Sequence, residues 1–277
     1  MKYEPIKDFL TKVFRAPFAR RLFYKAIDIL LLRTWHIHKY IKLWLKQAPP
    51  EPDVLDAGSG LGQHSYFIAR HCPKCKIIGI DINQRQVDDA NYFFQRIGYG
   101  DRVKFQTGNL EQYVCPQCFD LVLNIEVIEH ILNDKQVLDN FSRSLRKGGW
   151  LILSTPSLYA ESHDHEHDEH DSDHDKDKDY FVDEHVREGY DPEELKQMLE
   201  NVGFTDVNVK FMYGKWGGKA WVLSMKWPII MLNKSFLFFL ILPVYYLILS
   251  PVILLFDWLD TVTENKRGGS LLVIAKK

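Results

Sequence analysis

The chain has 277 residues, enough for one large domain with a sizeable core or for two small ones. Its formal net charge of −2 excludes little, because the charge is segregated along the chain. Lys2, Lys7, Lys12 and Arg15 interrupt the opening residues and argue against the apolar core of a secretory signal.

Residues 1–50 are predicted to form basic amphipathic helices. Residues 1–47 hold eleven Lys and Arg against three Asp and Glu, and Leu10, Val13, Phe14, Phe18, Leu22 and Phe23 recur among them at helical spacing. A basic end of this kind points to an anionic partner surface, either phospholipid or nucleic acid. Ala48-Pro49-Pro50-Glu51-Pro52 then acts as a stiff linker and stops the helix. From Asp53 onward, short apolar runs alternate with helical stretches. Strands are predicted over 54–57, 76–81, 103–107, 119–125 and 150–155, and helices over 63–71, 84–97 and 127–145. Such alternation predicts an α/β domain over 51–277, with a mostly parallel sheet and helices on both faces.

Residues 161–184 carry twelve acids, two lysines and five histidines. The segment 161–179 reads as a disordered acidic and histidine-rich loop, placed after the fifth strand where it suits a flexible lid; weak transition-metal binding is the other reading. Asp191-Pro192-Glu193-Glu194 starts a helix, with an N-cap Asp, a proline in the first turn and an acid at the third position. That helix is predicted to run to about Val202 and to stop at Gly203. Two further strands, 207–212 and 271–275, enclose a very apolar insertion at 227–259.

Val54-Leu55-Asp56-Ala57-Gly58-Ser59-Gly60-Leu61-Gly62 carries a buried strand into a glycine turn and then a helix. Glycines let the backbone approach a ligand without Cβ clashes, and free N–H groups at the helix start favour a polar or anionic group. Asp81 ends the next strand, placed to accept hydrogen bonds from ribose hydroxyls. A dinucleotide enzyme would share that acid, but it would want glycine where this chain has Gln63. Asp56 before the glycines would repel a pyrophosphate. It suits a cofactor with a cationic amine and a sulfonium.

These residues resemble the motifs of class I S-adenosylmethionine-dependent methyltransferases. Asp56-Ala57-Gly58-Ser59-Gly60-Leu61-Gly62 resembles their first motif and Gly79-Ile80-Asp81-Ile82-Asn83 their second. Gly108-Asn109-Leu110 sits where those enzymes contact adenine. Residues 119–124 resemble their fourth strand, and 145–150 the turn before their fifth. The resemblance implies a Rossmann-like, doubly wound, mostly parallel seven-stranded sheet of order 3-2-1-4-5-7-6, with the last strand antiparallel. It implies S-adenosyl-L-methionine (SAM) as cofactor, held by Asp56, Gly58, Ser59, Gly60, Gly62, Asp81, Ile82, Asn109, Leu110 and Asn124.

Glu126-Val127-Ile128-Glu129-His130 follows the fourth strand, and His185 lies downstream. On a helix, offsets of three and four bring Glu126, Glu129 and His130 to one face. Two carboxylates with one or two imidazoles suit Mg²⁺ or a similar ion, which would lower the pKa of an acceptor hydroxyl. Alternatively, His130 or His185 is a plain general base. The run is similar to E-x-x-E-H stretches of quinone-biosynthesis O-methyltransferases and of small-RNA 3′-terminal 2′-O-methyltransferases. A purely structural reading is an acid-rich first turn favoured by the helix dipole.

Cys72/Cys75 and Cys115/Cys118 form two C-P-x-C pairs. Free thiols in a reducing cytoplasm are expected. A four-Cys zinc site would require the pairs to converge across the first strand.

Residues 235–256 run for 22 residues without a charge, long enough to span a bilayer. They lie between the last two strands of one sheet, so a single crossing would strand 271–275 on the wrong side. The segment must return to the side it left, and Pro243 and Pro251 predict a broken or hairpin-like helix. Lys215, Lys219, Lys226 and Lys234 precede it, and Trp216, Trp221, Trp227 and Trp258 flank it; both residue types suit a headgroup region. A helical cap or a dimer interface is the alternative. The chain is thus expected to be a cytoplasmic SAM-dependent methyltransferase, peripheral or monotopic on an anionic inner membrane face. Its expected acceptor is a lipophilic small molecule, such as a hydroxyl of a quinone precursor or lipid. The rival is an RNA 2′-O-methyltransferase. Nucleic acid is not expected as a partner, because the basic residues do not interleave with aromatics as a stacking platform requires.

Overall fold

The computed structural model describes residues 16–159, 186–235, 238 and 240–277. His185, the loop at 161–179, and Leu10, Val13 and Phe14 lie outside the described residues.

Helices α1 (Pro17–Leu30) and α2 (Leu32–Leu45) open the described chain. Pro17 suits the first turn of α1. Leu31 separates the two helices with an extended backbone, φ −100° and ψ 111°. Helix α2 buries Ile37, Ile41 and Trp44 and packs over the sheet.

From there strands and helices alternate: β1 (Asp53–Ala57), α3 (Gln63–His71), β2 (Lys76–Asp81), α4 (Gln84–Arg96), β3 (Val103–Thr107) and β4 (Phe119–Ile125). A short 3₁₀ turn (Ile128–His130), α5 (Asp134–Ser144), β5 (Leu145–Pro156), α6 (Pro192–Asn201) and β6 (Thr205–Met212) follow, and β7 (Ser270–Lys276) closes the fold. The seven strands form one sheet of order β3-β2-β1-β4-β5-β7-β6. Strands β1 to β5 pair in parallel, and β7 runs antiparallel between β5 and β6. The sheet is covered on both faces, so its strands are apolar on both. Alternate residues serve two cores: Val54 joins Ile37, Trp44 and Phe93 on one face, while Leu55 joins Val137, Phe141 and Leu195 on the other.

Asp191 caps α6 as its sequence predicts, accepting from the N–H groups of Glu193 and Glu194. The predicted helix over 127–145 is corrected: the chain makes the 3₁₀ turn and starts α5 only at Asp134. Glu126 takes a left-handed backbone, φ +55°, and Val127 is not helical either, with φ −134°.

The insertion between β6 and β7 is a helical hairpin. Helix α7 (Lys215–Trp221) leads through a π-helical turn (Val222–Lys226) into α8 (Trp227–Lys234), and α9 (Leu242–Val262) returns. The Tyr245 and Tyr246 hydroxyls donate to the carbonyls of Leu223 and Ser224, tying the two arms. Pro243 lies in the first turn of α9, but Pro251 does not break it. Packing of Ile253, Asp257 and Asp260 beyond the proline outweighs the one backbone bond it removes. The insertion leaves and re-enters at one place, since Met212 faces Ser270 in the sheet and the Gly269 N–H donates to the Tyr213 carbonyl.

The cysteines also differ from expectation. Disulfides join Cys72 to Cys75 and Cys115 to Cys118. Each C-P-x-C loop brings its Cα atoms to 5.4–5.5 Å, within the reach of a bridge. Strand β1 lies between the two loops, so they do not converge as a zinc site would require.

Candidate functional site

The carboxyl ends of β1, β2, β4 and β5 share one sheet edge with the start of β7. In open α/β sheets ligands bind at this edge. The glycine turn occupies its centre. The N–H groups of Gly58 and Ser59 donate to the Ile80 carbonyl at 2.8 and 3.0 Å, and Gly60 N–H donates to Asp81 Oδ2 at 2.7 Å. Two glycines are required by geometry. A Cβ on Gly58 (φ +82°) would lie 2.2 Å from Val127 Cγ2, and one on Gly62 (φ +80°) 2.8 Å from Phe105 Cζ.

Asp56 is buried and accepts from the Ser65 hydroxyl at 2.6 Å. Burial pushes its carboxyl up to about 6, and the Ser65 bond opposes that rise. The second Asp81 oxygen accepts from the Asn83 N–H. Asn124 donates to the Ala57 carbonyl at 3.0 Å, beside the turn. Its Oδ1 is buried without a partner among the described residues, as is Ser59 Oγ. Unpaired buried polar atoms around a glycine cradle fit a polar ligand. Ile82 stands exposed beyond Asp81. Asn109 is exposed and caps its own turn through the Glu111 N–H, while Leu110 lies in the core.

The other half of the site lies beyond β4 and β5. Glu126 accepts from the Ser154 hydroxyl and pairs with Arg33 at 3.0 Å. Glu129 is buried beneath it and accepts from the Thr155 hydroxyl at 3.1 Å. Burial, aided by the charge of Glu126, pushes the Glu129 carboxyl up to about 7. His130 points to the exposed side of the 3₁₀ turn. The predicted helix that would bring Glu126, Glu129 and His130 to one face is corrected to a 3₁₀ turn, and His185, the fourth member of the predicted metal set, lies outside the described residues. Among the described residues no group of three or more His, Cys, Asp and Glu is assembled to hold a metal.

The sequence reading missed several residues here. Arg33 arrives from the first turn of α2. Tyr213 is largely buried against the Arg33 main chain and charge, with a left-handed backbone of φ +56°. His64, in the first turn of α3, is half-buried, its Nδ1 is buried without a partner among the described residues, and desolvation pushes its imidazole down to about 3. Arg33 and Tyr213 gave no signal, because the long-range fold alone brings them to Glu126. His64 lies two residues after Gly62 of the glycine turn and was the legible one.

A cleft of about 460 Å³ opens at the opposite edge of the sheet, lined by residues that include Lys76, Arg102, Cys118 and Arg146. Arg146 there pairs with Asp53 and Asp120, and Arg102 donates to carbonyls of Ala69, Cys72 and Cys75. These charges are spent within the fold. The carboxyl edge holds the glycine turn, the unpaired Ser59 Oγ and Asn124 Oδ1, and the left-handed Glu126 and Tyr213, and the site is assigned there.

A family model described as a methyltransferase domain matches residues 50–203. A probable S-adenosylmethionine-dependent methyltransferase of Mycolicibacterium smegmatis is 33% identical over 153 residues, covering 55% of this chain and 51% of that protein. A sterol 24-C-methyltransferase of Eremothecium gossypii is 31% identical over 97 residues, 35% of this chain and 26% of that protein. The chain thus spans about half the length, or less, of these relatives. Among solved structures, phosphoethanolamine N-methyltransferase 2 of Haemonchus contortus, in complex with S-adenosyl-L-methionine, matches with a TM-score of 0.56 at 17% identity. That match covers 92% of this chain and 60% of the other, and it bears on the fold alone.

Proposed function

The chain belongs to the class I SAM-dependent methyltransferases, and on that premise we propose that it methylates a hydroxyl of a lipophilic acceptor, such as a quinone precursor or lipid, at the cytoplasmic face of a membrane. SAM supplies an activated methyl group, so the protein's task is in-line positioning and removal of the acceptor proton. The glycine turn, Asp81 and Asn124 would hold SAM. Glu126, paired with Arg33 and partly accessible, is the carboxylate that would take the hydroxyl proton. Bound SAM would supply its methyl group to the acceptor oxygen and would leave as S-adenosylhomocysteine. His130 and His185 are the imidazole alternatives for the proton step. No metal is invoked, because Arg33 already neutralises Glu126.

One observation carries the reading of a lipophilic acceptor. The apolar hairpin springs from the carboxyl edge itself, two residues after Tyr213, and exposes Leu240, Val244, Leu247 and Ile248 along its return arm. An exposed apolar face of that size marks an interaction surface. At the mouth of the site it favours an acceptor delivered from a bilayer. An RNA acceptor would gain nothing from it. Sterols, the acceptors of the Eremothecium gossypii relative by its name, are lipophilic too.

Incubating the full chain with labelled SAM and a membrane lipid extract tests the reading. Label is expected in an organic-soluble product carrying a new methyl ether. Label confined to RNA, or transferred only to water-soluble amines, would overturn it.

A further inference from the structure

Helix α1 has two faces with different partners. At about 100° per residue, Phe18, Leu22 and Ile29 share an arc of about 40°. All three are exposed, as are Arg21 and Lys25 beside them. The opposite face is turned onto the cofactor loop. The Tyr24 hydroxyl donates to the carbonyl of Leu61, inside the glycine turn. Arg20 is buried and pairs with Asp89 on α4. Asp28 accepts from Gln63, the first residue of α3, at 2.9 Å. A guanidinium tolerates such burial only in a defined seat, so α1 docks on the loop in one position.

The outer face of α1 continues into the hairpin. Leu32 seats on Gly217 of α7, where an added Cβ would lie 2.6 Å from Leu32 Cδ2. Ile29 and Leu30, both exposed, therefore adjoin the base of the insertion. Charge decides what covers this surface. Arg21 and Lys25 on α1, and Lys215 and Lys219 on α7, border apolar and tryptophan side chains. A second copy of the chain would set like charges against each other. An anionic bilayer meets both the apolar band and its basic border.

We infer that α1 is a clasp on the glycine turn that an anionic bilayer holds shut, so that membrane and SAM bind cooperatively. The inference rests on the membrane reading above and adds its regulation. A bilayer bound to Phe18, Leu22 and Ile29 favours the seated position of α1, in which Tyr24 holds the Leu61 carbonyl. States with α1 lifted become rarer, and SAM meets a loop already ordered. Linkage makes the effect reciprocal: SAM tightens membrane binding by the same factor.

The test is calorimetric titration of SAM into the full chain, alone and with phosphatidylcholine vesicles containing phosphatidic acid. Neither lipid carries an alcohol hydroxyl, so binding is read without turnover. The SAM dissociation constant is expected to fall at least about fivefold, the low end of common couplings. Pure phosphatidylcholine should do less. Leu22→Glu should keep the affinity measured without vesicles and lose the gain. Tyr24→Phe should still bind vesicles and also lose the gain. An unchanged constant with vesicle-bound protein overturns the clasp, and so does a gain that survives Leu22→Glu. Self-association through this face without vesicle binding overturns it in favour of a second copy. If the acceptor proves hydrophilic, the function above fails while this coupling remains measurable.

Discussion

Asp56 has two duties at once. Its carboxyl anchors Ser65 in α3 and stands next to the glycine turn, yet burial favours its protonated form, with a pKa of about 6 against 3.8 for the free side chain. Below the unfolded value both states hold the proton, and its contribution to stability is full. As pH rises from about 4 to 6, the unfolded chain ionises while the folded one resists, so that contribution is lost. A shift of this size corresponds to about 3 kcal/mol. Asp56→Asn keeps an acceptor for Ser65 and removes the titration. Part of that loss precedes pH 4, so wild type should lose about 2 kcal/mol relative to Asp56→Asn between pH 4 and pH 7, read from urea midpoints. A difference that stays flat across that range would show that Asp56 titrates normally. The acid stood out in the sequence because it precedes glycines. Its bond to Ser65 did not, since a hydroxyl nine positions on carries no pattern.

Among elements, the hairpin depends on one buried carboxylate. Asp260 of α9 accepts from the N–H groups of Gly214 and Gly217 at 3.0 and 2.9 Å, and meets His36 Nε2 of α2 at 3.1 Å. It joins both arms of the insertion to the helix that supplies Arg33. Asp260→Ala leaves three buried groups unpaired, and the loss should be about 3–5 kcal/mol, as for other broken buried pairs. Limited proteolysis should then cut within 215–262 first, while far-UV circular dichroism keeps the signal of the sheet. Cleavage unchanged from wild type would show that other contacts hold the hairpin. Six strands were legible to within two residues, because a doubly covered sheet writes each strand as a short apolar run between turns; the fifth, expected from 150, begins at Leu145, since the polar Arg146-Lys147-Gly148-Gly149 read as a turn. The helix over 127–145 was misread for a definite reason. Val127, Ile128 and Ile131 repeat like a helix, but the left-handed Glu126 and the start signal Asn133-Asp134 divide the run. That start signal was present in the sequence and was outweighed by periodicity.

At the scale of the whole molecule, cofactor loop, acceptor residues and apolar hairpin all issue from one sheet edge. The sheet order was legible through the family resemblance. The seat of α1 on the glycine turn was not, because an amphipathic pattern says that one face is covered without saying by what. Each arm of the hairpin is about 30 Å long at about 1.5 Å per helical residue, comparable to the apolar thickness of a bilayer. Its two ends stay at the sheet, so in the membrane reading proposed above it would enter as a wedge and leave the catalytic domain in water. Leu247 and Ile248, 77% and 66% exposed, would be buried in lipid. Burying two such side chains contributes about 3–6 kcal/mol. Replacing both with Glu should therefore weaken partition into anionic vesicles by at least about a hundredfold. Turnover of a bilayer-held acceptor should fall through KM. The kcat for a short-chain, water-soluble analogue should stay within about twofold of wild type, since neither residue touches the glycine turn or Glu126 and distant surface changes rarely move chemistry. Vesicle partition that survives the double replacement would leave the hairpin as a cap on the domain rather than a membrane wedge.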